Sequence, residues 1–242
     1  MTARRKVLVL QHLEVEHPGV FRDFLARDGF DYVPVELDLG ARIPPLEDYA
    51  ALWVMGGPMD VWQEDGHPWL IEEKAAIRRA VRELDMPYLG FCLGHQLLAV
   101  ALGGEVGLAQ VPEVGIMPID CAAGADSPFL AAVPAAFDVM QWHSAEVTRV
   151  PDGARVLASS PACGVQAMSV GRRAFSMQFH VEITAETVPQ WHAIPEYRAA
   201  LDQSLGPAGA ARLEAEAAGR IAEFNARAAV LYRNWCAACG LT

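Results

Sequence analysis

The stretch GFCLGHQ at residues 90–96 decides the fold class of this chain. It places Cys92 between Gly90 and Gly94, after an apolar run at residues 86–91 and before a helix-like run at residues 96–102. A sharp strand-to-helix turn with small neighbours lifts a side chain clear of a sheet, and such a turn is called a nucleophile elbow. The thiol would lie at a helix N-terminus, where the helix dipole and unpaired N–H groups favour thiolate. We therefore predict that Cys92 is a nucleophile.

The bulk properties narrow the class of protein and its partners. The chain has 242 residues, of which 52% are hydrophobic and 20% charged, and we expect one large domain. Its formal charge of −11 disfavours nucleic acid or an anionic membrane surface as a partner, because both require clustered Lys and Arg. The absence of a membrane-length apolar run or a signal-peptide pattern predicts a cytoplasmic protein. The five cysteines are an odd, scattered set unlike a disulfide framework, and a reduced compartment suits a catalytic thiol.

Strand-like and helix-like segments alternate in the first hundred residues. This alternation predicts a parallel sheet with helices on both faces, and continuous apolar runs are typical of its buried strands. The predicted strands are residues 6–11, 30–37, 51–55 and 86–91, and the predicted helices are residues 19–27 and 68–84.

The pattern changes after residue 105, where short strand-like segments are separated by Gly, Pro and Asp. We interpret them as the antiparallel edge of a mixed sheet. The segment at residues 186–205 is interrupted by Pro189 and Pro195, and a helix is predicted from residue 210 to about residue 235. This Ala-rich helix is interpreted as either a docked appendage or an oligomer contact. The predicted strands of the edge are residues 115–119, 137–141, 155–158, 165–170 and 173–179.

A nucleophilic cysteine needs a base, a group that orients the base, and donors for an oxyanion. His180 is the best candidate base, and the strand period of two places Glu182 on the same side if the chain stays extended. The oxyanion donors would be the backbone N–H of Leu93 and one from Gly56-Gly57-Pro58. Both positions follow strands at their carboxyl ends, where open α/β sheets gather their sites.

Three motifs in this order and spacing resemble the signatures of class I glutamine amidotransferases: GFCLGHQ at residues 90–96, GGP at residues 56–58 and FHVE at residues 179–182. The resemblance is strongest to stand-alone proteins that resemble the amidotransferase domain of GMP synthase. It runs from about residue 6 to about residue 184. It implies a flavodoxin-like α/β three-layer sandwich that forms a single domain. The core of this domain would lie at about residues 6–184, and a C-terminal helical extension would follow at about residues 185–242.

The resemblance also implies a thioester mechanism without metal or organic cofactor. Cys92 would attack the γ-carboxamide of glutamine, His180 would protonate the departing ammonia and then activate water, and Glu182 would orient His180. Gly57 and Leu93 would form the oxyanion hole.

The same resemblance assigns further residues to substrate binding. Gln96 would help to hold the substrate, and His143 and Ser144 fall in the family segment that contacts the amino and carboxylate groups of glutamine. Val181 departs from the family pattern, where proline is frequent. GMP synthase also carries an ATP-pyrophosphatase domain that uses the ammonia, and no Gly-rich phosphate loop follows His180 here. The resemblance therefore implies an ammonia-accepting synthase as a partner.

Several competing interpretations rest on single residues. His143 is a rival base, but it lacks a carboxylate two residues away. His95 is expected to pack within the elbow helix. Cys236 and Cys239 have the spacing of a redox or zinc pair, yet without a second pair they are interpreted as a frayed helix end. Three acidic residues after the GGP motif are interpreted as a solvated lid, namely Asp60, Glu64 and Asp65.

Three functions are therefore carried forward. The first is hydrolysis of glutamine to glutamate and ammonia, with the ammonia delivered to a partner or acceptor. The second uses the same triad in a self-sufficient hydrolase of γ-glutamyl peptides or amides. The third is a non-catalytic binding module, which an intact Cys92, His180 and Glu182 argues against. A homo-oligomer is left open.

Overall fold

The computed structural model describes residues 5–122 and 127–241. Within these residues a single mixed sheet forms the centre of the fold. Its strands are β1 (Arg5–Gln11), β2 (Phe30–Glu36), β3 (Ala51–Val54), β4 (Tyr88–Phe91), β5 (Glu105–Cys121), β6 (Ala136–Arg149), β7 (Ala154–Ser159), β8 (Ala167–Val170) and β9 (Ala174–Met177). Their spatial order is β2-β1-β3-β4-β9-β8-β7-β5-β6.

The sheet divides into a parallel half and an antiparallel half, as the sequence predicts, but β9, which the sequence assigned to the antiparallel edge, pairs in parallel with β4. Strands β2, β1, β3, β4 and β9 pair in parallel. From β9 outward, β8, β7, β5 and β6 pair in the antiparallel sense. The carboxyl ends of β1, β3, β4 and β9 therefore meet at one edge of the sheet, where open α/β folds place their sites.

Helices cover both faces of the sheet, which confirms the flavodoxin-like three-layer architecture. One face packs against α1 (Phe21–Arg27) and α6 (Gly209–Cys239), and the other packs against α2 (Trp69–Arg82) and α3 (Leu93–Ala101). The alternation of strand side chains explains this, since Trp53 faces the first layer while its neighbours Leu52 and Val54 face the second. In the described part of the chain, no helix is both long and apolar enough to cross a membrane.

Strands β5 and β6 are much longer than predicted, because they form an antiparallel ribbon that continues past the apolar segments visible in the sequence. Their pairing runs from Glu105 opposite Arg149 to Asp120 opposite Ala136, with irregularities near Leu108. Much of the added length of β5 is exposed or only partly buried, even at the apolar residues Leu108 and Val111, and Gly107 and Pro112 interrupt it in the sequence. His143 and Ser144, which the resemblance assigned to substrate binding, lie inside β6.

Residues 185–205 form two short helices, α4 (Thr187–Ala193) and α5 (Pro195–Leu205). One of the two predicted interruptions is present, because Pro195 occupies the first position of α5, where proline is tolerated. The other is absent, since Pro189 lies within the first turn of α4. Aromatic residues of both helices pack on Trp142 of β6 to make a third apolar cluster. The two helices therefore lie against β6 at Trp142.

Helix α6 is built into the main core. Trp235 is fully buried, stacks edge-on against Trp53 at 5.5 Å between ring centroids, and donates its indole N–H to the carbonyl oxygen of Tyr88 at 2.9 Å. The interpretation of Cys236 and Cys239 as a frayed end is wrong, because both thiols are buried within the helix. Burial raises the pKa of Cys236 to about 11 and that of Cys239 to about 12, which keeps both thiols protonated at neutral pH.

The position of Trp235 gives a stability prediction. We expect Trp235→Ala to lower the free energy of unfolding by about 3–5 kcal/mol, because it opens a cavity beneath β3 and β4 and removes the donor to Tyr88. Denaturant unfolding measures the change. Arg233→Ala, an exposed position on the same helix, is the control and should change stability by less than about 0.5 kcal/mol. Equal stability of the two variants would show that α6 does not contribute to the core.

Candidate active site

Cys92 stands at the carboxyl end of β4 in a strained backbone conformation. Its φ of 48° and ψ of −102° are unusual for a residue with a side chain, and they turn the chain directly into α3. A Cβ on Gly90 would lie 2.8 Å from the carbonyl oxygen of Gly94, and a Cβ on Gly94 would lie 2.1 Å from that of Val54. The two glycines are therefore required by the tight packing of this turn, as predicted for a nucleophile elbow.

The contact at Gly94 gives a second stability prediction. We expect Gly94→Ala to cost about 1–3 kcal/mol or more and to displace the elbow, because the obstructing atom is backbone and cannot rotate away. Gly219→Ala is the matched control, since nothing lies within 4 Å of its added Cβ in the middle of α6. That control should stabilise the protein by about 0.5–1 kcal/mol. Thermal unfolding of both variants separates the two effects, and unchanged stability of Gly94→Ala would contradict the packing of the elbow.

His180 and Glu182 lie together immediately after β9. The imidazole Nδ1 of His180 donates to Oε1 of Glu182 at 2.5 Å, and Oε2 of Glu182 accepts the N–H of Val181 at 2.9 Å. Backbone hydrogen bonds in both directions join His180 to Met140 of β6. The segment is therefore held extended, and both side chains are buried on the same side as the strand period predicts.

The side chain of His180 interacts with that of Cys92, and this interaction is one cause of the shifted pKa of His180. Burial lowers the pKa of His180, but the Glu182 carboxylate and the interaction with Cys92 together raise it well above its usual value. The Nε2 of Gln178 also donates to the sulfur, at 3.4 Å. The structure thus brings together the predicted nucleophile, base and orienting carboxylate, in a state that favours imidazolium beside the sulfur.

A cavity of about 90 Å³ opens beside the sulfur. The residues that the sequence assigned to the oxyanion hole and to substrate binding all border it: Gly57, Leu93, Gln96, His143 and Ser144. The N–H of Leu93 belongs to the first turn of α3, where no helical carbonyl can reach it. Across residues 5–122 and 127–241, no backbone hydrogen bond from the N–H of Leu93 or of Gly57 is found. Both groups are therefore available to an oxygen atom in the cavity.

Gln96 is part of the wall that faces the sulfur. Its Nε2 donates to the carbonyl oxygen of Ala145 at 3.1 Å and to Oε1 of Gln178 at 3.0 Å. Because Gln178 in turn donates to Cys92, this chain of hydrogen bonds ties β6 to the nucleophile.

His143 lines the cavity, but its ring is fully engaged elsewhere. Nδ1 faces the carbonyl oxygen of Ala145 at 2.9 Å, and Nε2 faces Oε2 of Glu113 at 3.1 Å. Both nitrogens of the ring are therefore engaged with partners other than the sulfur, and no hydrogen bond between His143 and Cys92 is found among the described residues, which favours His180 over His143 as the base. Ser144 is exposed at the edge of the cavity.

Among the described residues, Glu113, His143 and Cys163 hold potential metal-ligand atoms within 4.8 Å of one another. The Glu113 carboxylate already accepts bonds from His143, from Ser160 at 2.8 Å and from Gln166 at 2.7 Å. These three donors therefore occupy the carboxylate oxygens that would bind a cation. The side chains form a hydrogen-bonded network that joins β5 to His143 of β6.

His95 lies inside the elbow helix, as expected. Its ring nitrogens face the hydroxyl of Ser176 at 2.8 Å and the carbonyl oxygen of Val165 at 3.0 Å. Burial lowers the pKa of His95 to about 3, so the ring is neutral. It joins α3 to β9, and it does not border the catalytic cavity.

Three residues at the site were missed by the sequence analysis. Glu16 is buried in the loop after β1, and its Oε1 accepts the hydroxyl of Tyr197 at 2.5 Å. Burial raises the pKa of Glu16, opposed by the nearby charge of His180. Trp191 of α4 packs edge-on against the His180 ring at 4.7 Å between centroids. The signal for Glu16 was its position just after the carboxyl end of the first strand.

The acidic loop after the GGP motif is only partly the solvated lid that was predicted. Asp60 is half-buried in the wall of the catalytic cavity, and burial raises its pKa. Glu64 forms an ion pair with Lys74 of α2. Asp65 alone is exposed as expected.

An α/β sheet that carries a buried Cys-His-Glu arrangement at a nucleophile elbow defines a class of thiol-dependent enzymes. The family model described as "Glutamine amidotransferase class-I" matches residues 26–191 of this chain. The chain therefore belongs to the class I glutamine amidotransferase family of enzymes.

Individual relatives agree with this assignment. The GMP synthase of Aeropyrum pernix is 39% identical over 145 residues, which cover 60% of this chain and 26% of that protein. A glutamine-hydrolysing GMP synthase subunit of Sulfolobus acidocaldarius is 34% identical over 170 residues, which cover 68% of this chain and 85% of that protein. The match thus spans about a quarter of the first protein and most of the second.

Solved structures show the same fold. A glutamine amidotransferase from Thermotoga maritima superposes with a TM-score of 0.85 at 25% identity, covering 96% of this chain and 98% of that one.

Proposed function

We propose that this enzyme hydrolyses the γ-amide of glutamine through a γ-glutamyl thioester on Cys92 and passes the ammonia to a partner or acceptor. The observation that carries the proposal is the hydrogen bond that holds Nδ1 of His180 on Glu182, at the same edge of the sheet as the strained elbow of Cys92. Matches to proteins named glutamine-hydrolysing GMP synthase support glutamine as the substrate.

In the first half of the reaction, the Cys92 thiolate attacks the carbon of the γ-carboxamide. The carbonyl oxygen gains negative charge, and we assign the N–H groups of Gly57 and Leu93 to bind it. His180 then gives its proton to the nitrogen, and ammonia leaves as the thioester forms. The raised pKa of His180 keeps it protonated before this step.

In the second half, His180 acts as a base. Having lost its proton, it takes one from water, and the resulting hydroxide attacks the thioester carbon. Glutamate leaves and the thiolate–imidazolium pair is restored. Glu182 holds Nδ1 protonated throughout and stabilises the positive charge on the ring, which matches the role of the acid in serine-protease triads.

The rest of the cavity is suited to the polar end of glutamine. Asp60 has no ion-pair partner within the described residues and can face the α-ammonium group. We assign the α-carboxylate to the β6 segment at Ser144, whose hydroxyl and neighbouring backbone border the cavity. Gln96 contributes indirectly, by fixing this segment to Gln178.

The proposal is tested by measuring glutamate release from glutamine with the purified chain, alone and with a candidate ammonia-accepting synthase. We expect hydrolysis in at least one arm, stimulated by the cognate partner. Cys92→Ala supplies the background rate. Absence of glutamate release in every arm, with a folded protein, would overturn the proposal.

The Tyr197–Glu16 contact predicts a role for α5 in substrate binding. Tyr197→Phe removes the hydroxyl that bonds to Glu16 and leaves a buried carboxylate with one donor fewer, so the wall of the cavity loosens. We expect KM for glutamine to rise about 5- to 10-fold, equivalent to about 1–1.4 kcal/mol, with a smaller fall in kcat. Steady-state kinetics tests this against Tyr49→Phe, which lies away from the cavity. Unchanged KM would exclude the contact from substrate binding.

The second candidate, a self-sufficient γ-glutamyl hydrolase, uses the same triad. One observation favours it, namely a wider cavity that shares walls with the catalytic one. This space is larger than ammonia requires.

A further inference from the structure

The wider cavity lies directly beside the catalytic one. It has a volume of about 520 Å³, against about 90 Å³ for the cavity at Cys92. The two share Pro58, Met59 and Glu196 as walls, so a substrate that extends past the oxyanion loop enters it. The segment assigned to the glutamyl end, around Ser144, borders only the catalytic cavity. The wider cavity is therefore placed on the side of the leaving group.

Two carboxylates stand at the rim of this second cavity, and the half-buried ring of His67 also lines it. Asp38 and Glu196 line it, both are exposed, and neither has an ion-pair partner in the described parts of the chain. The buried His12 also lines it, but this ring is occupied by Glu73 at 2.9 Å and by the carbonyl oxygen of Gly56 at 2.7 Å. Among the described residues lining either cavity, there is no lysine or arginine.

The negative character continues outward along the protein surface. A third cavity shares Leu13, Asp38 and Ile194 with the second one, and it adds Glu14 and Glu36 to the lining. Carboxylates thus border both the second cavity and the third cavity beyond it.

Apolar and aromatic surfaces complete the second cavity. Trp69 is half-buried there and stacks on His12 at 5.5 Å between ring centroids, so its indole is held in place. Met59, Ile194 and Pro195 supply aliphatic surface. Alkyl chains bind such surfaces by burial, and an aromatic face also attracts an ammonium group.

We propose that this cavity binds the leaving group of a γ-glutamyl amide, and that the preferred leaving group is an alkyl amine carrying a second, positively charged amino group. The inference rests on the proposed function, because it uses the same thioester. Cys92 attacks the γ-carbonyl carbon, the C–N bond breaks, and the proton of His180 goes to the departing nitrogen. The diamine leaves, and water then releases glutamate from Cys92.

Three substrates with matched four-carbon leaving groups test the proposal: the γ-glutamyl amides of 1,4-diaminobutane, butylamine and 4-aminobutyrate. They differ mainly in the terminal charge, which is positive, absent or negative. We expect kcat/KM for the diamine substrate to exceed that for the butylamide by about 10-fold or more, and the 4-aminobutyrate substrate to be the poorest. The preference should shrink as ionic strength rises, because both carboxylates are exposed.

Variants show whether the cavity causes the preference. In Asp38→Asn combined with Glu196→Gln, the ratio of kcat/KM between the diamine and butylamine substrates should fall to about 1–3. Asp65→Asn, an exposed acid that does not line the cavity, should leave the ratio unchanged.

Two readouts separate this inference from the proposed function. In the first case, glutamine is hydrolysed and a glutamine-mimicking diazoketone labels Cys92, so the thioester reaction stands. If the diamine and butylamine substrates then react equally, or the anionic substrate reacts best, only the leaving-group inference is overturned. If no substrate yields glutamate and Cys92 is not labelled, the thioester reaction itself fails.

Discussion

Replacement of Cys92 by alanine is expected to abolish glutamate release, with kcat falling about 10⁴-fold or more. The sulfur forms the bond to the γ-carbonyl carbon, and among the described residues no second thiol lines the catalytic cavity. Serine should be almost as inactive, since its hydroxyl is a much weaker nucleophile than a thiolate. Kinetic assays with glutamine measure both variants.

Two further measurements keep this result interpretable. Cys121→Ser, which changes a half-buried cysteine away from the site, should retain activity. Circular dichroism should show that Cys92→Ala is folded, because the substitution removes only one sulfur atom and leaves the packing around Gly94 unchanged. Substantial turnover by a folded Cys92→Ala protein would rule out the thioester mechanism.

The second large effect is expected for Glu182→Gln, which should lower kcat about 10²- to 10⁴-fold. The glutamine carbonyl can still accept the N–H of Val181, but its NH₂ group then faces Nδ1 of His180 and favours the wrong tautomer. The substitution also removes the charge that raises the pKa of His180.

The pH profile distinguishes this role from a merely structural one. Protonated His180 is needed to release ammonia, so activity is lost as pH rises through its pKa, which lies well above 6.5 in the native protein. Removing the Glu182 carboxylate lowers that pKa, so the alkaline limb of kcat/KM should move to lower pH. Glu186→Gln, an exposed position nearby, should leave the limb in place. An unshifted limb in Glu182→Gln would contradict the electrostatic role of Glu182.

The elbow and the triad could be predicted because their signals are local in the sequence. Gly90 and Gly94 stand two residues on either side of Cys92, and the structure shows the backbone contacts that exclude larger side chains. His180 and Glu182 obey the period of an extended strand. The parallel half of the sheet was equally accessible, since its buried strands are continuous apolar runs.

The part of the site's walls outside the family motifs could not be predicted, because it joins residues that are distant in the chain. Tyr197 and Glu16 are 181 positions apart, and neither belongs to a motif. The second cavity likewise combines distant residues, because Asp38 lies in the segment after β2 and Glu196 lies in α5. Such pairs become visible only once the helices after residue 186 are placed against β6 and the loop after β1.

The role of α6 was hidden for a different reason. Its many alanines give weak contrast between a buried and an exposed face, so the pattern fits an appendage as well as a core helix. The buried residues that decide the matter, above all Trp235, occupy the last two turns, where a helix end is usually expected to fray.

The central claim is that Cys92 carries the γ-glutamyl group. Its most direct test is incubation of the whole chain with a glutamine-mimicking diazoketone, followed by peptide mapping by mass spectrometry. The account predicts one adduct, on the peptide that contains Cys92, with loss of labelling when excess glutamine is present. Labelling at Cys236 or Cys239 in place of Cys92, or no labelling of a folded protein, would contradict it.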